Sequence, residues 1–320
     1  MQKLFKPFCA FQGDRLIYKM DGRRLRVLCY HGVCEDRLAN EPWMPDYFVT
    51  KSALEEQLQY LTRHTRILPL SEAVRRLGDG TLPPRSPSIT FDDGYANNVS
   101  LAYPLLQKYS APATIFLSTA YIESGEMYPF LKLKLIQLTL GAELKPDALL
   151  EYKSTPLDQV TERADRWWSV VKSRLSSDQW TALKPLKIVE VGAADSKLVE
   201  FGAHSHTHCI LKNESRERRR DEIQISIQKV GQWTGRPVSL FSYPNGQRSD
   251  FGEGDIEVLK AEGIRAAVTG IPGANNLSVD PLRLRRYPIG LWHGAAVFPA
   301  EVSGFRTALL AIPRRLRNAN

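Results

Sequence analysis

A parallel α/β barrel is the fold class this sequence predicts, on three observations. Short apolar runs of strand type alternate with longer amphipathic stretches along most of the chain. About seven such units recur, which suits a closed or nearly closed barrel better than an open sheet. No predicted strand leads into a GxGxxG turn, since GEGDIE from Gly252 fails at its last position, so an open dinucleotide-binding sheet loses its main support.

The elements follow in order. LRVLCY (Leu25 to Tyr30) reads as a buried strand. KSALEEQLQYLTRH reads as a helix, with Ser52 and Glu55 at capping-box spacing and Leu54, Leu58 and Leu61 on one face. SITF (Ser88 to Phe91) is the second strand, and NNVSLAYPLLQKY a helix in which Pro104 either occupies the first turns or causes a kink. ATIFLS (Ala113 to Ser118) is the third strand. KLVEFGAH (Lys197 to His204), a polar helix near 214 to 233, VSLFSY (Val238 to Tyr243), a helix near 254 to 262, RAAVTG (Arg265 to Gly270) and LRLRRYPI (Leu282 to Ile289) complete the pattern. Between Gly125 and Ser196 the strand pattern stops, and Trp167, Trp168 and Trp180 lie among helical residues. This predicts a helical insertion over 125–196, serving as a lid or substrate wall or as a packing subdomain. Residues 1–24 then form an N-terminal extension, 25–295 the barrel with its insertion, and 296–320 a basic tail.

Composition narrows the class. The chain has 320 residues, 43% hydrophobic and 24% charged, which excludes a disordered polymer. The most apolar run, Leu131 to Leu140, is broken by two lysines and is too short to span a bilayer. The start, MQKLFKPFCAFQGDRL, lacks the long apolar core and cleavage pattern of a signal peptide, so the expected location is cytoplasmic. Four cysteines without a CxxC pair support neither a disulfide framework nor a zinc ribbon. The net charge of +8 is compatible with an anionic partner. ESRERRRDE (Glu214 to Glu222) sums to zero, and the local excesses are Arg283, Arg285 and Arg286, and Arg314, Arg315 and Arg317 in the tail. That tail suits either peripheral membrane contact or a frayed end. The insertion tryptophans sit among mixed charges rather than on a basic stripe, so no nucleic-acid partner is expected.

Three short segments carry chemistry. Thr90-Phe91-Asp92-Asp93-Gly94-Tyr95 places two adjacent carboxylates at the end of an apolar strand, where burial is costly without compensating positive charge. Alone, Asp-Asp-Gly is equally a turn with a helix cap. Gly202-Ala203-His204-Ser205-His206-Thr207-His208 then puts three of the six histidines within five residues. Two histidines at i and i+4 converge on one side of a helical turn, and with one carboxylate they make a three-ligand site with an open position, the usual layout of catalytic zinc. Phe241-Ser242-Tyr243-Pro244-Asn245-Gly246 follows a strand, as a plain turn or as a turn that aims a backbone N–H at a substrate oxygen.

The order TFDDGY, HSHTH, FSYPNG resembles the polysaccharide deacetylases of carbohydrate esterase family four, the NodB-homology group, over roughly Leu25 to Ile289. The resemblance implies a distorted (β/α) barrel and metal-dependent removal of acetyl groups from sugars. It makes Asp92 the general base, and Asp93, His204 and His208 the metal ligands. His206 is expected to point away, towards substrate or towards a ligand's support. The backbone amide of Asn245 would meet the oxyanion, with Tyr95, Tyr243 and Pro244 beside the substrate. The general acid is a choice between two histidines. His31, in the Tyr30-His31 pair after the first strand, resembles the branch that includes poly-N-acetylglucosamine deacetylases. His293, in GLWHGA, has Leu291 two residues before it rather than three, a departure from the Leu-x-x-His pattern of many members. The arginine that many members place before the proline turn is Ser242 here. Arg286, on the opposite face of the last strand from Arg283 and Arg285, is the residue expected to replace it at Asp92 and is grouped with the substrate-binding set. His31 is preferred as the acid.

The reading is a hydrolase that removes N-acetyl groups from a glycan or from a lipid- or nucleotide-linked sugar, using a divalent metal: zinc, with nickel or cobalt as alternatives. A catalytically inactive carbohydrate-binding barrel of the same fold is the competing reading.

Overall fold

The structure is a computed structural model that describes residues 23–141, 152–194, 197–294 and 297–305. Residues 1–22 of the expected extension and the tail arginines Arg314, Arg315 and Arg317 lie outside them. Seven strands form the barrel: β1 (Arg26–Tyr30), β2 (Pro87–Phe91), β3 (Ala113–Leu117), β4 (Val199–Ala203), β5 (Leu240–Ser242), β6 (Ala266–Pro272) and β7 (Leu284–Pro288). All pair in parallel, in chain order, and β7 returns to β1 with Val27 opposite Arg286 and Leu28 opposite Tyr287. The predicted fold class is the observed one. Strand ends shift by one or two residues, where apolar periodicity carries little information. A two-residue parallel pairing, Val33–Cys34 with Val49–Thr50, is too short to leave a sequence signal.

The helices that connect the strands are α1 (Lys51–His64), α2 (Leu70–Gly78), α3 (Tyr103–Lys108) and α4 (Thr119–Ser124). After these come α5 (Pro129–Leu140), α6 (Leu157–Lys172), α7 (Ser177–Leu183), α8 (Ile188–Ala193), α9 (Arg216–Thr234), α10 (Glu253–Ala261) and α11 (Val297–Val302). Two local expectations are resolved. The cap of α1 is Thr50, whose side chain accepts from Ala53 N, and Ser52 instead bonds Asp36, so the Ser52–Glu55 capping box is not formed. The helix starts two residues earlier than that box requires. Pro104 sits in the first turn of α3, directly after a π-helical turn over Asn98–Ala102. There its missing N–H costs nothing. No helix of the described residues is long and apolar enough to cross a membrane.

The alternation along each strand decides what lies inside the barrel. Val27, Phe116, Leu240, Val268 and Leu284 come from five strands and pack in one cluster with Leu25, the residue before β1, which places them in the interior. Leu70, Ala73 and Leu77 of α2 join the same cluster, so this helix plugs the N-terminal mouth. Two residues further along the strands, the inward positions turn polar: Cys29 after Val27, Ser242 after Leu240, Arg286 after Leu284. The apolar plug therefore forms the floor beneath a polar chamber at the C-terminal end.

Packing in the plug pairs large with small. Phe116 stands in register with Gly202, and a Cβ on that glycine would lie 2.6 Å from the phenyl ring. Phe116→Ala would leave a cavity that no neighbour fills. It is expected to destabilise the fold by about 3–5 kcal/mol, read from urea unfolding. An unfolding midpoint equal to that of the parent chain would contradict a closely packed interior.

Candidate active site

The chamber collects the residues that follow the barrel strands. Asp92 and Asp93 follow β2, His31 follows β1, His204 and His208 follow β4, and Asn245 follows β5, while Arg286 reaches in from β7. Asp92 N still donates to Tyr30 O at 2.9 Å, so the sheet ladder holds the carboxylate at its rim.

Asp92 is the most constrained of these groups. It is 2% exposed, and Arg286 grips it bidentately, with Nη1 2.7 Å from Oδ1 and Nη2 2.6 Å from Oδ2. Ser242 Oγ donates to Asp92 Oδ2 at 3.2 Å and lies 3.1 Å from Arg286 Nη2. Arg286 Nε donates to Thr269 O at 2.8 Å, which fixes the guanidinium plane. Burial by itself would raise the Asp92 carboxyl, but Arg286, with His204 beside it, outweighs burial and lowers its pKa to about 2. Of the three arginines near the last strand, Arg286 is thus the one brought to Asp92. Arg283 pairs with Glu253 and Asp280, and Arg285 faces outward.

Asp93, His204 and His208 converge. His208 Nε2 lies 3.2 Å and His204 Nε2 3.4 Å from Asp93 Oδ1, and the three donor atoms lie within 4.8 Å of one another. The histidine run is not the helical turn that its i, i+4 spacing suggested. It is a loop, and left-handed φ angles at Ser205 (58°) and His208 (56°) bring the two rings together. His204 Nδ1 donates to Ser242 O at 2.7 Å, and His208 Nδ1 lies 2.9 Å from Tyr152 Oη. Ser242 O can only accept, and Tyr152 Oη spends its one proton on His208 O, so each Nδ1 carries the proton and each Nε2 is left with its lone pair towards Asp93. Burial disfavours a charged His204, yet Asp92 and Asp93 outweigh it and raise its pKa. Asp93 Oδ1 is buried and makes no hydrogen bond of good geometry despite this company. Tetrahedral ligands about 2.0–2.1 Å from zinc stand about 3.3 Å apart, close to these separations. The residues present therefore fit a divalent cation such as zinc.

The two candidate acids are separated. Donor atoms of His31, Cys29 and Asp92 lie within 4.8 Å of one another, so His31 borders the carboxylate. Its Nδ1 is buried without a hydrogen bond, and its ring sits 4.8 Å from that of Tyr47. Burial lowers the imidazole pKa, against the opposing pull of Asp93 and Asp92. His293 is buried elsewhere, with Nδ1 accepting from Gly290 N and Nε2 3.5 Å from Glu301. His206 is half-buried and turned outward, its Nδ1 2.8 Å from Thr119 Oγ1.

Asn245 has φ of 57°, and its side chain donates to Asp250 at 2.6 Å, leaving its backbone as the group available to a ligand. Pro244 is buried ahead of it. Tyr243 stacks on Phe251 at 3.9 Å and donates to Leu282 O, so its side chain serves the barrel wall. Tyr95 is fully buried, its hydroxyl 3.5 Å from that of the half-buried Tyr47. Tyr47, Tyr128 and Tyr152 were not singled out in the sequence. Tyr128 donates to Asp93 O, and Tyr152 meets His208. An isolated tyrosine in a helical stretch looks like core packing, and no spacing rule marks it.

Comparison with known proteins follows the same lines. A family model described as polysaccharide deacetylase matches residues 79–267. The chain belongs to the polysaccharide deacetylase family. Poly-beta-1,6-N-acetyl-D-glucosamine N-deacetylase of Staphylococcus epidermidis is 35% identical over 92 residues, which is 28% of this chain and 32% of that protein. The match thus spans about a third of the curated relative. Among solved structures, a de-N-acetylase from Aggregatibacter actinomycetemcomitans superposes with a TM-score of 0.62 at 17% identity, over 87% of this chain and 99% of that one. The Streptococcus pyogenes deacetylase PplD gives 0.59 at 18% identity, over 83% and 92%. At such identities these likenesses speak to the barrel alone.

The Asp92–Arg286 pair generates a test of this family member's architecture. Arg286→Met leaves a buried carboxylate without its partner, and a loss of about 3–5 kcal/mol in unfolding free energy is expected at neutral pH. The depressed Asp92 pKa contributes stability above its unfolded value of 3.8, and that contribution is lost as pH falls towards about 2. The gap between the parent chain and the variant should accordingly narrow between about pH 4 and 2. A gap independent of pH would contradict the pairing.

Proposed function

We propose that the protein is a metal-dependent deacetylase that hydrolyses the N-acetyl group of an N-acetylated sugar within a glycan or glycan precursor. The observation that carries this reading is the Asp93, His204 and His208 cluster, with donor separations of 3.2 and 3.4 Å, beside a carboxylate held ionised by Arg286. A binding-only barrel has no use for that combination. The activity for which the Staphylococcus epidermidis relative is named supports N-acetylglucosamine units as the substrate class.

Asp93, His204 and His208 would hold the cation; when bound, zinc polarises a carbonyl and lowers the pKa of water, with nickel and cobalt as alternatives. The protein's own groups supply the rest. Asp92, ionised and fixed by Arg286 and Ser242, takes the proton of the attacking water. The backbone N–H of Asn245 donates to the developing oxyanion, and the Asp250 contact holds that turn in place. His31 donates a proton to the departing amine: burial lowers its pKa despite the carboxylates beside it, so the imidazolium, once formed, gives up its proton readily.

The decisive measurement is metal content of the purified chain together with acetate release from N-acetylglucosamine oligomers. One equivalent of metal and metal-dependent acetate release are expected; a chain that takes up no metal when zinc is supplied would overturn the reading. Asp93→Ala should lose bound metal and activity together. Asp92→Asn should keep the metal and lose turnover, by a factor of roughly 10²–10⁴ for loss of a general base. For the acid, His31→Ala is expected to depress the rate far more than His293→Ala, and the reverse ranking in steady-state kinetics would assign the role to His293.

A further inference from the structure

We propose that described residues between β3 and β4, Tyr128, Phe130 and Tyr152 together with 182–186, form the outer half of the metal cradle, with Tyr152 as the positioning residue for His208. This rests on the reading that Asp93, His204 and His208 hold a metal.

The two imidazoles are oriented by different parts of the molecule. His204 is fixed by the carbonyl of Ser242, a backbone group of the barrel itself. His208 is fixed by a side chain from outside the barrel: Tyr152 Oη lies 2.9 Å from His208 Nδ1 and 2.9 Å from His208 O. The hydroxyl has one proton, which it donates to the carbonyl, and it accepts the proton of Nδ1. One phenol thus sets the tautomer of the ring and ties that ring to its own backbone, at a residue with a left-handed φ of 56°. Phe130, on α5, packs 5.1 Å from the His208 ring and 5.6 Å from that of Tyr152, which restricts both to this arrangement.

The same segment also grips the other arm of the cradle. Tyr128 Oη donates to Asp93 O. Leu186 N donates to Gly94 O at 2.9 Å, Ala96 N donates to Lys184 O at 3.0 Å, and Asn97 Nδ2 donates to Ala182 O at 2.8 Å. Opening this segment as a lid would break the supports of the Asp93 turn and of His208 together. It is a fixed clamp, and the hydroxyl of Tyr152 governs how tightly the cation is held.

The test uses the full chain and zinc alone. Zinc affinity is measured by competition with a chromophoric chelator and zinc release by stopped flow, with the ligand-field absorption of the cobalt-loaded protein as a spectroscopic signature. Tyr152→Phe keeps the ring and removes Oη. A 10–100-fold loss of affinity, faster release and shifted cobalt bands are expected, in line with other groups that orient a ligating histidine. Tyr30→Phe removes a buried phenol bonded to Gln57 at 2.9 Å, away from the ligands, and should leave zinc affinity unchanged. If metal-free Tyr152→Phe melts far below the parent chain, Tyr128→Phe tests the other arm of the clamp, because it keeps the ring and removes the hydroxyl that donates to Asp93 O. Zinc binding as tight as that of the parent chain in whichever variant is folded would overturn the clamp. A parent chain that binds neither zinc nor cobalt would instead overturn the metal reading on which the clamp depends.

Discussion

The bidentate pair between Asp92 and Arg286 is the constraint around which the upper half of the barrel is arranged. Both groups are almost fully buried, and two charges taken out of water are tolerated only where geometry is good and the remaining donors and acceptors are satisfied. Ser242, Thr90 and the carbonyl of Thr269 complete that satisfaction, and each comes from a different barrel strand or its end. A pair of this kind seldom adds net stability compared with apolar residues of the same size. What it supplies is a carboxylate of fixed orientation and fixed charge. The apolar plug beneath it, closed by α2, keeps water from reaching the pair from below and so preserves the strength of the interaction.

Strain is concentrated in the same place. Asp93, Ser205, His208 and Asn245 are non-glycine residues with left-handed φ, and they occur in the three loops that carry the site. Such conformations cost of order 1–3 kcal/mol each and persist where surrounding contacts over-determine them. Those contacts are visible: Tyr128 on the carbonyl of Asp93, Tyr152 on the carbonyl of His208, and Asp250 on the side chain of Asn245. The barrel positions the loop ends, and groups from outside it hold the loops in shapes that the backbone alone would not choose.

This division explains how much could be read from the sequence. The strands were legible because each is a short apolar run, and the three motifs because each directly follows such a run. Alternation along the last strand was enough to separate Arg286 from Arg283 and Arg285, since parity decides which side chains enter a barrel. The contraction of the histidine loop was not legible. The spacing of His204 and His208 is that of a helical turn, and only backbone dihedrals reveal that a left-handed loop achieves the same convergence. The cap of α1 was misplaced because Ser52 and Glu55 satisfy the pattern, while Thr50 satisfies the geometry. Tyr128 and Tyr152 carried no signal at all. Their roles depend on contacts 35 and 56 residues away, and no local pattern encodes such distances.

The burial of the site also limits what can react there. Asp92, Asp93 and His204 are at most 2% exposed and His208 only 8%, whereas His31, Tyr47, Phe130 and Asn245 are half-buried and form its outer edge. Under the proposed reaction, the bond that is hydrolysed must meet the buried carboxylates, while the bulk of the substrate meets the half-buried edge formed by His31, Tyr47, Phe130 and Asn245.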